Sequence, residues 1–493
     1  MTMTIRPRKS IRILAAAAAL AFAALTAACS VNPATGRSSF TGFMSEGDEL
    51  QVGRENHPKI LEEFGGTSGG PELAAYVQDL GNRLAAKSER PDLKFTFTVL
   101  NSPIVNAFAV PGGYIYVTRG LLALANDEAE LGGVIAHEIG HITARHSAER
   151  YSSSILTQIG LIGLGVATGS GDLVNLAGTG AQVYLQSYSR DQEFEADMLG
   201  VRYLGRSAYD TRAMSEFLAS MQADARLDAT IAGNPNAADQ FNIMQTHPRT
   251  ADRVARAVQE AGQPPADAIV NRDVYLQHID GLLYGDDPSQ GFIKGRRFAH
   301  PKMKIEFTVP QGFVLNNSAD AVVAIGPQGS QIVFDGGGQG YGGDMANYIS
   351  GVWAKNIELR SLERTQINGM EAATGTALVN TRQGAAFARL VAIRANSGMI
   401  YRFLGIAPRN GAQSLDSAFM STASSFRRLS DAEAAALKPM RIRIVTVQPG
   451  DSVASLAGRM PFEDYREQRF RVLNGLESGE ALTAGQRVKL IVE

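Results

Sequence analysis

Apolar positions along this chain change period several times, and each change marks an element. Leu131, Val134, Ile135, Ile139 and Ile142 recur three and four residues apart, the period of a helix with an apolar face. Asp127, with Glu130 three positions on, is the start signal of that helix. Gly132 and Gly133 cost it stability, so a close neighbour against the backbone is expected there. Upstream, Tyr114, Ile115, Tyr116 and Val117 form a β-prone run behind a Pro111-Gly112-Gly113 turn. Such a strand at a sheet edge offers unpaired N–H and C=O groups to an extended peptide. Residues 113 to 118, with Gly113, Tyr114, Ile115 and Tyr116, are therefore expected to bind substrate main chain; the plainer alternative is a strand fully paired within its domain. A glycine-rich apolar region, 155–186, reads as helix packed near the cleft, either buried or acting as a lid or membrane contact. Its longest uninterrupted stretch, Ile155 to Ala167, is about half a bilayer span.

Downstream, AGQPPAD near 265 is a break. Residues 269–300 read as a connecting segment. From 301 to 432 strand-like runs such as KIEFTV, AVVAI and QIVFD alternate with turns and with helical stretches at 344–356 and 413–426, the pattern of a small α+β accessory domain. Its glycine-rich GGGQGYGG, 336–343, follows a strand but lacks a phosphate-loop lysine and receives no nucleotide role. Residues 440–493 open with a Pro449-Gly450-Asp451 turn and close on an apolar run.

The N-terminus changes the picture. Arg6, Arg8, Lys9 and Arg12 precede a short apolar run from Ile13 to Leu25, then Ala27-Ala28-Cys29. That is an export signal, too short for a membrane span. Cys29 is the one cysteine of 493 residues, so no intramolecular disulfide forms. The formal net charge is −2 and 19% of residues are charged, which gives no signal for nucleic acid.

The candidate chemistry lies in VIAHEIGHITARH, 134–146. His137 and His141, four apart, can converge on one metal ion, with Glu138 beside them as a general base: the HExxH arrangement. A catalytic zinc takes three protein ligands, so one is missing. His146 lies nine positions after His137, roughly 180° around a continuous helix, and reads as structural. Glu193 and Asp197 are also four apart on one helix face, in SYSRDQEFEADMLGVRYL, 187–204. Glu193 can complete a His-His-Glu site and Asp197 can accept a hydrogen bond from a ligating imidazole. With Asp191 and Glu195 alongside, a solvated acidic face is the competing reading, and Glu195 is expected to contribute nothing to zinc.

HEIGH followed by SRDQEFEAD resembles the gluzincin family of HtpX and the CAAX prenyl endopeptidases, and its periplasmic BepA-like branch. NAFAVPGGYIYVTRGLL, 106–122, and THPRTADRV, 246–254, are similar to further blocks of that family. The resemblance runs from about 40 to 260. It implies Glu193 as third zinc ligand, Asp197 behind it, and Ser189 and Arg190 in the flanking positions. It also implies a role for His247, as an oxyanion donor or as a resting-state zinc ligand that swings away. The N-terminus resembles a lipoprotein signal, 1–29, in which Cys29 is acylated; Ser30 points to the outer membrane of a Gram-negative cell. Residues 301–432 are faintly similar to PsbP-type domains. Residues 440–493 resemble a LysM module, which binds N-acetylglucosamine polymers such as peptidoglycan, and its removal is expected to leave zinc content unchanged.

Together these imply a multidomain α+β chain. A mainly helical zincin-type peptidase domain with a small edge-strand sheet, 30–268, is followed by the accessory domain and a βααβ module. The expected activity is a zinc endopeptidase, one zinc per chain, acting on misfolded or unassembled envelope proteins, with Glu138 moving the proton. The competing class is a non-catalytic, zinc-stabilised chaperone or wall-binding lipoprotein.

Overall fold

A computed structural model defines the architecture. It describes residues 29–155 except 33, residues 188–231, 253, 256 and 259, and residues 262–493 except 319, 320, 337–339, 382, 383 and 397. Residues 1–28, where an export signal is expected, most of the apolar region 155–186 and His247 lie outside the described residues. Among those described, no helix is long and apolar enough to cross a membrane.

A short hairpin, β1 (Cys29–Val31) with β2 (Ser38–Phe40), precedes helices α1 (Glu46–Glu63) and α2 (Gly70–Ala85). Then come β3 (Thr96–Leu100), β4 (Ala107–Val110) and β5 (Tyr114–Thr118), followed by α3 (Arg119–Leu124) and α4 (Glu128–Thr143). Helices α5 (Arg190–Arg206), α6 (Ala213–Ile231) and α7 (Arg272–Ile279) and strand β6 (Leu283–Tyr284) complete this part.

The sheet corrects one expectation. Its order is β3-β5-β4, so β5 is central: parallel to β3 with Tyr114 opposite Thr96, and antiparallel to β4 with Val117 opposite Ala107. Gly113, Tyr114, Ile115 and Tyr116 are therefore not an edge for substrate, because the ladder groups of β5 face partners on both sides. Alternation still holds: Ile115 and Val117 face the helical core, while Tyr114 and Tyr116 pack with Ile60, Leu61 and Phe64 of α1.

Every residue of α4 is buried. Asp127 caps it by accepting from the Glu130 N–H at 2.8 Å, but the Glu130 carboxylate reaches past the cap to the Asn126 N–H at 2.7 Å. Helix α5 is the principal neighbour of α4. A methyl group at Gly140 would lie 3.1 Å from the Ala196 carbonyl, and one at Gly200 would lie 2.7 Å from Met214 Cε and 3.1 Å from the His137 nitrogen. The tight approach is thus at Gly140 and Gly200. Gly132 and Gly133, where it was expected, make only ordinary contacts at 3.4 Å and beyond.

The segment 269–300 is not a connector. Helix α7 lies in the peptidase core, β6 pairs with Met440–Thr446, and strand Phe292–Lys294 pairs with Arg297–His300, which pairs in turn with Ile305–Thr308 of the accessory unit. That unit holds a seven-stranded antiparallel sheet between Val314 and Pro408, covered by helix Ala412–Ser425. Its core is aromatic, with Phe298, Phe307, Phe334, Phe403 and Phe426 in one cluster.

The C-terminal unit has the expected βααβ order: Met440–Thr446, Val453–Ala457, Arg466–Leu473, Arg487–Val492. It does not stand apart. Ile442, Leu456, Phe470 and Leu490 share one apolar cluster with Leu122, Tyr275 and Ile279. Lys489 is fully buried, and its Nζ donates to the carbonyls of Ala123, Leu124 and Ala125 at 2.8, 3.0 and 2.8 Å. These carbonyls end α3, where a helix leaves its acceptors unsatisfied and favours a cation. Lys489→Met should therefore destabilise the whole chain by about 3 kcal/mol or more, since each buried polar group left unsatisfied costs about 1–3 kcal/mol. Denaturant unfolding followed at the peptidase core measures this; an unchanged midpoint would mean that the docking contributes nothing.

Candidate metal centre

The helix period places the His137 and His141 rings on one side of α4, with their Nε2 atoms 3.0 Å apart. Ser189 caps α5 in a reciprocal capping box with Gln192, which fixes the helix start one turn before Glu193. The fully buried Glu193 then presents Oε2 at 3.7 Å from His137 Nε2 and Oε1 at 3.5 Å from His141 Nε2. The three ligand atoms all lie within 4.8 Å of one another. A tetrahedral zinc with bonds of about 2.0–2.1 Å holds its ligand atoms about 3.3 Å apart, so this donor set fits such an ion without rearrangement. Glu138, adjacent on α4, is fully buried.

Behind the ligands the two imidazoles are held differently. His137 Nδ1 lies 2.9 Å from Asp197 Oδ1, the contact expected of Asp197. Arg253 grips Asp197 with two bonds, at 2.8 and 2.7 Å, and reaches Glu193 Oε2 with NH1 at 2.5 Å. Burial pushes the Asp197 carboxyl up, but the Arg253 hydrogen bonds and charge, with His137, hold it well below the usual carboxylate range. Arg253 stands in the THPRTADRV block, and nothing in the linear spacing of that block points to this contact.

His146 corrects a second expectation. The 180° argument assumed a continuous helix, but α4 ends at Thr143 and Arg145 takes a left-handed φ of 58°. Arg145 is held there by Glu49 Oε1 at 3.0 Å and the Met44 carbonyl at 2.9 Å. The turn brings the His146 ring back, and its Nδ1 lies 2.8 Å from His141 Nδ1. On the other side, His146 Nε2 lies 3.3 Å from Glu195 Oε2. Tyr188 was also missed: it stacks on His141 at 3.8 Å between centroids and 17°, with Arg150 over its other face at 3.8 Å. Nothing in linear spacing points to either contact. Cys29 opens β1, away from this cluster in the chain, and His247 cannot be placed against it because it lies outside the described residues.

Residues 71–261 match the family model for peptidase family M48, and residues 445–490 the LysM domain. The chain carries an M48 peptidase domain and a LysM domain. The beta-barrel assembly-enhancing protease of Yersinia pestis is 33% identical over 231 residues, covering 44% of this chain and 46% of that protein. The Escherichia coli K12 protein of the same name is 31% identical over 243 residues, covering 47% and 48%. The mitochondrial metalloendopeptidase OMA1 of Schizosaccharomyces pombe is 28% identical over 221 residues, covering 43% and 60%. The chain spans about half the length of the bacterial relatives. A solution structure of cyanobacterial PsbP from Synechocystis sp. PCC 6803 aligns with 28% of this chain and 98% of that one at 15% identity, but its TM-score of 0.22 carries no argument for the accessory unit.

Arg253 supplies the cation for two buried carboxylates of the M48 domain. Arg253→Met should cost about 3–5 kcal/mol in the metal-free protein, the usual result of stranding buried charge. Thermal unfolding with chelator present tests this; a loss below about 1 kcal/mol would mean that the carboxylates find another partner.

Proposed function

We propose that this chain is a zinc-dependent endopeptidase of the bacterial cell envelope that cleaves misfolded or unassembled envelope proteins. The observation that carries the reading is the convergence of His137, His141 and Glu193 on one point with Glu138 on the next position of α4. The names of the bacterial relatives, which are proteases of barrel assembly, support the envelope and the substrate class.

His137, His141 and Glu193 hold one zinc ion. Bound there, zinc supplies Lewis acidity that activates water and polarises a peptide carbonyl. Glu138 takes the proton from the attacking water and returns it to the leaving amine. Asp197 orients His137 through its Nδ1–H, and Arg253 keeps Asp197 ionised and pairs with Glu193. Substrate main chain adds at β4, which is an edge strand among the described residues and packs against α4. Cys29, behind the basic and apolar N-terminal run, carries a lipid that anchors the chain to the outer membrane. The LysM domain binds peptidoglycan and sets the distance of the peptidase from the wall.

Two variants test the chemistry. Glu138→Gln should keep zinc and lose at least about 100-fold in cleavage of an unfolded envelope protein, the usual range for a general base. Glu193→Ala should lose zinc itself, read by metal analysis of the purified protein. Near wild-type cleavage by the first variant, or full zinc content in the second, would overturn the assignment. Cys29→Ser should move the protein from the membrane to the soluble fraction; continued sedimentation with membranes would exclude the lipid as the anchor.

A further inference from the structure

We propose that His146 and Glu195 are positioning residues of the zinc centre, and that the N-terminal arm at residues 32–37 belongs to that centre by clamping Glu195. The proposal rests on the zinc reading above and concerns residues that do not touch the metal.

Proton bookkeeping along the chain of contacts allows one arrangement. His141 binds zinc through Nε2, the atom that faces His137 and Glu193. Its Nδ1 must then carry the ring proton. The atom 2.8 Å away is His146 Nδ1, which therefore accepts and cannot hold a proton itself. His146 must in turn be protonated on Nε2, and that N–H points at Glu195 Oε2, 3.3 Å away. Each donor meets an acceptor, and the chain ends on a carboxylate. His137 reaches its carboxylate, Asp197, in one step; His141 reaches Glu195 in two. Such partners fix the tautomer and ring orientation of a metal ligand and raise its basicity. The relay is buried, with His146 1% exposed and the Glu195 side chain 9% exposed, so water does not compete for these bonds.

Glu195 has further partners, and they come from the other end of the chain. Oε1 accepts from Asn32 Nδ2 at 2.8 Å and from the Thr35 hydroxyl, and Oε2 accepts from Arg37 NH1 at 3.4 Å. The arm is shaped for this: Asn32 N–H donates to the Arg37 carbonyl at 2.7 Å, and the Ala34 carbonyl accepts from Arg202 of α5 at 3.2 Å. Asn32 is three residues after Cys29. The segment that leaves the proposed anchor is thus tied to the back of a zinc ligand.

Zinc affinity and imidazole proton exchange test this together. His146→Phe and Glu195→Ala should purify with zinc but bind it about 10- to 100-fold more weakly in chelator competition, the usual cost of losing such a partner. His146→Gln, whose amide oxygen can accept from His141 Nδ1–H, should recover most of that loss. The double variant Asn32→Ala, Arg37→Ala should show a smaller loss in the same direction. In cobalt-substituted wild type, two slowly exchanging imidazole N–H resonances are expected, one for each ligating histidine. Glu195→Ala should speed the exchange of one and leave the other. Wild-type zinc affinity in His146→Phe and Glu195→Ala would overturn the relay, as would a single slow resonance in the wild type, a measurement that needs no variant to fold. If Glu193→Ala also keeps its zinc, the metal site itself is wrong; if only the relay variants are silent, the relay alone fails.

Discussion

The contact on which the rest depends is the approach of α5 to α4 over Gly140 and Gly200. Without a side chain at either position the helix backbones close to a distance at which Glu193 faces two imidazoles. That closure buries Glu138, Glu193 and Asp197 in one apolar setting, where charge without a partner is costly. Arg253 offsets part of it through two hydrogen bonds to Asp197 and an ion pair with Glu193. A divalent cation between the ligands offsets more. On this view the site is held in an arrangement that favours the ion, and the fold accepts the electrostatic cost because α4 is buried along its whole length.

The C-terminal LysM domain bears on the same helices from the other side. Its strand Arg487–Val492 buries Lys489 against the end of α3, one short loop before α4 begins. Its apolar residues merge with those of α7 and α3. A domain attached in this way is part of the peptidase scaffold. The body it joins includes the start of α4, which a flexible tether would not achieve. The accessory unit, by contrast, has its own aromatic core.

Much was legible from the chain because it is local. The four-residue spacings of His137 with His141 and of Glu193 with Asp197 are helix geometry, and they lie on helices as expected. Ser189 caps α5 by bonds that span three residues. The βααβ order of the C-terminal unit is what the resemblance of residues 440–493 to a LysM module implies. The spacings and the cap need only the chain's own period and its nearest neighbours.

What tertiary structure alone decided is where local elements meet. Strand β5 has the pattern of any half-buried strand, and only pairing with both β3 and β4 makes it central and leaves those two as the edges among the described residues. His146 is on the wrong side of a continuous helix; a left-handed Arg145, held by Glu49 and Met44 far upstream, turns it back onto His141. Glu195 looks like one more acidic residue of a solvated face until the arm at Asn32 covers it. Lys489 looks like a surface lysine in an alternating strand until α3 offers it three carbonyls. The sequence by itself determined the helices that carry His137, His141 and Glu193 and the face each residue takes, because those depend on backbone periods. The residues around that cluster are held by segments up to 163 residues away, as Glu195 is by Asn32, and contacts at that separation are set by packing, which no period along the chain encodes.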